Sequence, residues 1–171
     1  MLDFNRDPVP SFYFGVTIKG LSTSSSVAGA FTEISGLEIG LDSGAITWEE
    51  GGNSVPVKLP GRLKNDAVTL KRYLRKVTFG FGDPLTGWVQ ETFRSAHTWT
   101  TLIKVKNIII DVYYPQKGRA LIIAQYNIIG AYPTKWTMSD LSSTNESDPI
   151  TETFEFAYRD IERVSVSTAT G

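Results

Sequence analysis

Between Thr47 and Arg72 the chain reads TWEEGGNSVPVKLPGRLKNDAVTLKR. Apolar residues alternate with polar ones on both sides of its centre, at Ile46 and Trp48 and again at Val68 and Leu70. Period-two alternation marks a strand with one buried face. The polar centre, residues 49–65, reads as a long extended loop. Loops of that length are uncommon in compact domains and usually carry a function. Glu49 and Glu50 open it, Gly51 and Gly52 allow a bend, and Asn53 begins a run able to extend through Val57. Pro60-Gly61 is suited to a turn, and Lys58, Arg62 and Lys64 supply positive charge. A segment of this kind can lie against another chain through strand pairing or charge. These ten residues are therefore the expected inter-subunit contact.

Working outward, alternation dominates the chain. Phe12, Phe14, Val16 and Ile18 share one face of a strand. Leu37, Ile39 and Leu41 share another, with Ile34 out of phase, so Gly36 is expected at a bulge or bend. Ile108 to Tyr114 reads as a strand ending in a Pro115–Gly118 turn. Leu121 to Ile129 is apolar on both faces and is expected to be covered on both sides. Phe154, Phe156 and Tyr158 line one face of the last strand. Only GDPLTGWVQETFRSAH departs from this rule. Asp83 is placed to cap a helix and Pro84 to occupy its first turn. Leu85, Trp88, Val89, Phe93 and Ala96 recur at helical spacing, with Trp88 and Phe93 the expected anchors. The fold class is mainly β: an antiparallel barrel or sandwich of about seven strands in one domain over 1–171. One helix, about 84–97, flanks it.

Chemistry is hard to place on this pattern. There is no cysteine, which excludes disulfides and thiolate metal sites. His97 is the single histidine, so no paired-histidine metal site arises within one chain. No nucleophile elbow accompanies it. The glycines and Lys58 of the central stretch lack phosphate-loop spacing, and a strand follows them, not a helix. Glu152 and Glu155 are three apart on a strand and point to opposite faces. Glu49-Glu50 lacks a ligand-rich loop around it. No enzyme, metal or cofactor is expected. The opening MLDFNRDPVP carries acids where a secretory signal needs a basic start, so the expected place of synthesis and folding is the cytoplasm. No run approaches the roughly 18 apolar residues of a spanning helix.

The formal net charge is −1, but it is unevenly spread. From Lys58 to Lys76 seven basic residues face Asp66 alone, and from Asp140 to Glu162 seven acids face Arg159 alone. Two readings stand: separate solvated surfaces, or complementary patches between copies. Tyr73 is the single aromatic within the basic run and the whole chain is not basic, so specific nucleic-acid binding is not expected.

Four phrases add a resemblance. VPSFYFGVTI, FTEISGLEIG, WEEGGNSVPVKLPGRLKNDAVTLKR and YPTKWTMSDLSS…ITETFEFAYRDI, in this order, resemble the tail-tube proteins of contractile phage tails and phage-tail-like injection particles. Glu50-Gly51-Gly52, Lys58-Leu59-Pro60-Gly61-Arg62 and Thr69-Leu70-Lys71-Arg72 are its most specific elements. Tyr132, Tyr158 and Asp160 depart from the family's usual tryptophan, histidine and glycine while keeping the apolar pattern. The resemblance implies a barrel or sandwich with one helix, six copies per ring, and rings stacked into a hollow tube. Around the tube it implies a sheath, at its ends a baseplate and a cap, and in its lumen cargo. The particle would be cytoplasmic, membrane-associated or released. The alternatives are a tube-initiating or baseplate-proximal paralogue, or a carbohydrate-binding sandwich.

Overall fold

The computed structural model describes residues 14–21, 31–46, 57–74, 83–98, 102–116, 119–141 and 149–164. Nine strands and one helix occur among them: β1 Phe14–Ile18, β2 Phe31–Ser35, β3 Ile39–Ile46, β4 Val57–Asn65, β5 Val68–Tyr73, α1 Pro84–Thr98, β6 Lys106–Gln116, β7 Arg119–Met138, β8 Thr151–Ala157 and β9 Asp160–Val164. All pairings are antiparallel. Seven strands join in one path, β1-β6-β7-β8-β5-β2, with β9 added on β7, while β3 and β4 form a separate two-stranded ribbon. The path does not close on itself, so the sandwich half of the expectation describes this chain.

The path folds over because β7 changes partners along its length. Its residues Gln125–Ile129 lie between β6 and β9, whereas Tyr132–Met138 pair with β8. Gly130, at φ +67°, stands at the change. The neighbouring chain turns in step: β8 ends and β9 begins across the corner Tyr158-Arg159, where the Arg159 amide donates to the Ile129 carbonyl at 3.0 Å.

Alternation then decides what fills the space between the two halves. Val16, Ile18, Ile108, Ile110 and Ile128 come from one half, and Val68, Leu70, Phe154 and Phe156 from the other; all are buried. Each such side chain contributes about 1.5–3 kcal/mol through burial. The helix closes the core as a lid. Asp83 caps it, accepting from the Thr86 amide at 3.3 Å and the Thr86 hydroxyl at 2.8 Å. Leu85, Trp88, Val89, Thr92 and Ser95 are its buried positions. Trp88 stacks on Phe156 with centroids 5.6 Å apart, and its Nε1 donates to the Lys104 carbonyl at 2.9 Å.

Three expectations need correcting. Phe93 is not an anchor: it is 36% exposed, and Ala96 is exposed too. The inward stripe runs instead through Thr92 and Ser95, whose small polar side chains a hydrophobic reading passes over; Thr92 satisfies its hydroxyl on the Trp88 carbonyl at 2.9 Å. Leu121–Ile129 is not covered on both sides, because only Ile128 in that run is buried. The polar stretch is not an unpaired loop over its whole length, as described next.

Candidate assembly surface

Val57–Asn65 is a strand, paired with β3 from Ile46↔Val57 to Ile39↔Asn65. The sequence hid it because Pro60 and Gly61 look like a turn. The ribbon accommodates them as a bulge: Leu41 faces Leu63 and Ser43 faces Pro60, so two residues, Gly61 and Arg62, stand opposite Asp42 alone. A proline without an amide proton is tolerated at such a break in the ladder. A usable signal was present: Val57, Leu59 and Leu63 meet Ile46, Gly44 and Leu41 in register. Of the other proposed contact residues, Lys58 pairs with Ala45 and Lys64 with Gly40 along the backbone. Arg62 and Lys64 are exposed and make no ion pair among the described residues. Glu49, Glu50, Gly51, Gly52 and Asn53 lie outside the described residues.

The ribbon continues the β2–β5 pair past an interruption. Ser35 pairs with Thr69 and Ile39 with Asn65, leaving 36–38 and 66–68 outside both ladders, with Val68 paired to β8 alone. Gly36, at φ +78°, makes the bend, and an added Cβ would sit 2.1 Å from the Ala67 carbonyl oxygen. Beneath the root an open groove of about 370 Å³ is lined by Leu37, Ile39, Tyr126, Ile161 and Arg163. Further apolar exposure lies at Leu102 and Val105, ahead of β6, and at Tyr73, Leu74, Met138 and Leu141, near the end of the sheet where Tyr73 meets Thr151.

Among the described residues the two charge blocks meet in an ion pair at one point. Arg72 lies on the inward face of β5, directly opposite Glu152 on β8, and is 1% exposed. It donates to Glu152 at 3.0 Å and also pairs with Asp83 at the helix start, with Phe154 against its guanidinium at 5.0 Å. Lys71 pairs with Glu33 at 3.8 Å and Lys135 with Glu155 at 3.1 Å. Arg72, Lys71, Glu152 and Glu155 are therefore engaged within the protomer. Glu152 and Glu155 do face opposite ways, one into the core and one outward.

Burial pushes the Asp83 carboxyl up, but hydrogen bonds from Arg72 and Thr86 and the arginine charge outweigh it and leave it below its ordinary value of 3.8. A carboxylate with a lowered folded-state pKa contributes stability above its unfolded value and loses it as pH falls through the folded one. Asp83→Asn keeps the cap and removes the charge. Urea unfolding is therefore expected to show the variant less stable at pH 7, with the gap shrinking below about pH 4. An equal gap at pH 7 and pH 3 would contradict the assignment.

His97 is exposed in the last turn of α1. Among the described residues no three potential metal ligands come together, and no helix is long and apolar enough to cross a membrane.

An open antiparallel sandwich with one helical lid, a projecting ribbon and apolar side chains left at its margins has the build of an assembly subunit. The chain belongs to the T4-like virus tail tube protein gp19 family, whose profile matches residues 10–162. Among solved structures it is similar to a chain of the anti-feeding prophage baseplate, with TM-score 0.71 and 22% identity over 92% of this chain and 96% of that one. It is also similar to a chain of the PVC sheath–tube complex, an extracellular contractile injection system in its extended state, with TM-score 0.70 and 20% identity over 97% and 100%. A chain of the anti-feeding prophage tube-terminating cap gives TM-score 0.70 and 20% identity over 94% and 93%. At these identities the likeness is one of fold. Comparison with curated proteins gave no match.

Proposed function

We propose that this protein is the protomer of the inner tube of a phage-tail-like contractile injection particle. Six copies close into a ring, rings stack into a hollow tube, and the tube conducts cargo when a surrounding sheath shortens. The observation that carries this reading is the family match across residues 10–162. The fold likeness to chains from a sheath–tube complex, a baseplate and a cap supports the same setting, with sheath outside and baseplate and cap at the ends. The role is structural, and no catalytic step belongs to it. The particle is assembled after synthesis in the cytoplasm, and no nucleic acid is specifically bound. The segment 49–65 reaches the adjoining subunit or ring, with Lys58, Arg62 and Lys64 making its charge contacts.

Negative-stain microscopy of the purified protein tests this. Hollow tubes with six-fold end views are expected, and a monodisperse monomer at high concentration would overturn it. Arg62→Glu with Lys64→Glu should leave the melting temperature within about 2 °C, as exposed charges contribute little to stability, while tube yield falls at least tenfold. A second reading, a baseplate-proximal paralogue, is favoured by the near-equal likeness to baseplate and sheath–tube chains. Short stacks of a few rings, with long tubes only on addition of another subunit, would select it.

A further inference from the structure

An isolated two-stranded ribbon has little stability or orientation of its own. Here it joins the body through two unpaired legs, 36–38 and 66–67. At its root Leu37 and Ile39 remain 39% and 46% exposed over the open groove. Among the described residues two side-chain hydrogen bonds tie it to the body, one on each side, and both involve consecutive residues of the β8–β9 corner. The buried Tyr158 hydroxyl donates to the Glu38 carbonyl at 2.6 Å, ahead of β3. The Asn65 Nδ2 donates to the Arg159 carbonyl at 2.8 Å, at the end of β4. The corner is itself tied to β7 through the Arg159 amide and the Ile129 carbonyl. A rigid element of the sandwich thus grips both legs of the ribbon at its root.

We propose that Tyr158 and Asn65 are positioning residues: a latch that fixes the angle at which the ribbon leaves the body and so sets the register between stacked subunits. The consequence for stacking rests on the tube reading above; the latch itself does not. Leverage makes the angle matter. The eight residues of β3 span about 26 Å at ~3.3 Å each. A tilt of roughly 10° at the root therefore moves the far end by about 5 Å, close to the ~4.8 Å between paired strands. An error of that size misplaces every contact the ribbon makes. One bond would leave the ribbon free to twist about it; a bond to each leg removes that freedom.

The test uses Tyr158→Phe combined with Asn65→Ala, which removes both donors and keeps the buried ring. The chain has no cysteine, so spin labels are introduced at Arg62→Cys on the ribbon and Gln90→Cys on the exposed face of α1. Distances are measured in dilute, unassembled protein. The expected result is at least a twofold broadening of the ribbon-to-helix distance distribution. Tubes of the double variant without the label cysteines are expected to be at least fivefold shorter by microscopy than those of the unsubstituted protein. The melting midpoint of Tyr158→Phe alone should fall by only about 2–4 °C, as for the loss of one hydrogen bond. An unchanged distance distribution in the double variant would overturn the latch. A broadened distribution with tubes of unaltered length would overturn its role in register. If the unsubstituted protein forms no tubes, the tube reading fails, while the distance measurement still judges the latch.

Discussion

Arg72→Met will lower stability at pH 7 by about 3–5 kcal/mol, the usual penalty for removing one partner of a buried ion pair. In a chain of 171 residues that corresponds to a melting temperature lower by on the order of 10 °C. The reason is the site left behind. Glu152 and Asp83 converge on the guanidinium from β8 and the start of α1, and neither has open solvent to turn to. Without the arginine, two carboxylates share a buried space and one must take up a proton or displace the structure. The deficit should therefore shrink as pH falls toward about 4, because protonating the variant's crowded acids costs less there, and shrink further below it as the original protein loses the benefit of an ionised Asp83. Combining Arg72→Met with Asp83→Asn and Glu152→Gln should recover most of the loss, since a neutral set of similar volume needs no internal counter-charge. Thermal melts at pH 7 and pH 4 on the single and triple variants test this. A triple variant no better than the single would show that packing of the arginine stem, not its charge, is what matters.

Gly36→Ala is expected to be the next most damaging substitution, at about 3 kcal/mol in total. Roughly 1–2 kcal/mol comes from holding an L-residue at φ +78°. The remainder comes from the Ala67 carbonyl, 2.1 Å from the new Cβ. Backbone cannot rotate out of the way as a side chain can, so the ribbon root must move. The melting temperature should fall by about 6–12 °C, and tube formation should fail even where folded protein survives. Gly87→Ala is the matched control. It sits in α1 with nothing within 4 Å of an added Cβ, so it should stabilise by about 1 kcal/mol through helix propensity. Tubes formed normally by Gly36→Ala would remove the reason given for this glycine.

Much of the local structure was legible from neighbouring residues. The Asp83-Pro84 helix start, the β1, β5, β6 and β8 alternations and the bend at Gly36 appear where the pattern put them. These features rest on capping, on period-two burial and on the backbone freedom of glycine, all settled within a few residues. What was misread needed a partner to be understood. Val57–Asn65 looked like a loop because its proline and glycine are strand breakers in isolation, and only β3 opposite them makes a bulge of the same residues. Phe93 looked like an anchor because spacing does not reveal how wide the covered face is.

The sequence by itself determined that this chain would be antiparallel β with a single helix, and it carried the family phrases, because both are written in short-range order. The tertiary structure alone decided that Arg72 would lie buried against Glu152, 80 residues away. It alone brought Tyr158 to Glu38, 120 residues away. Which distant groups become neighbours depends on how β7 bends at Gly130 and carries β8 and β9 with it. No local pattern encodes that meeting, since it follows from the summed burial of two sheet faces against each other.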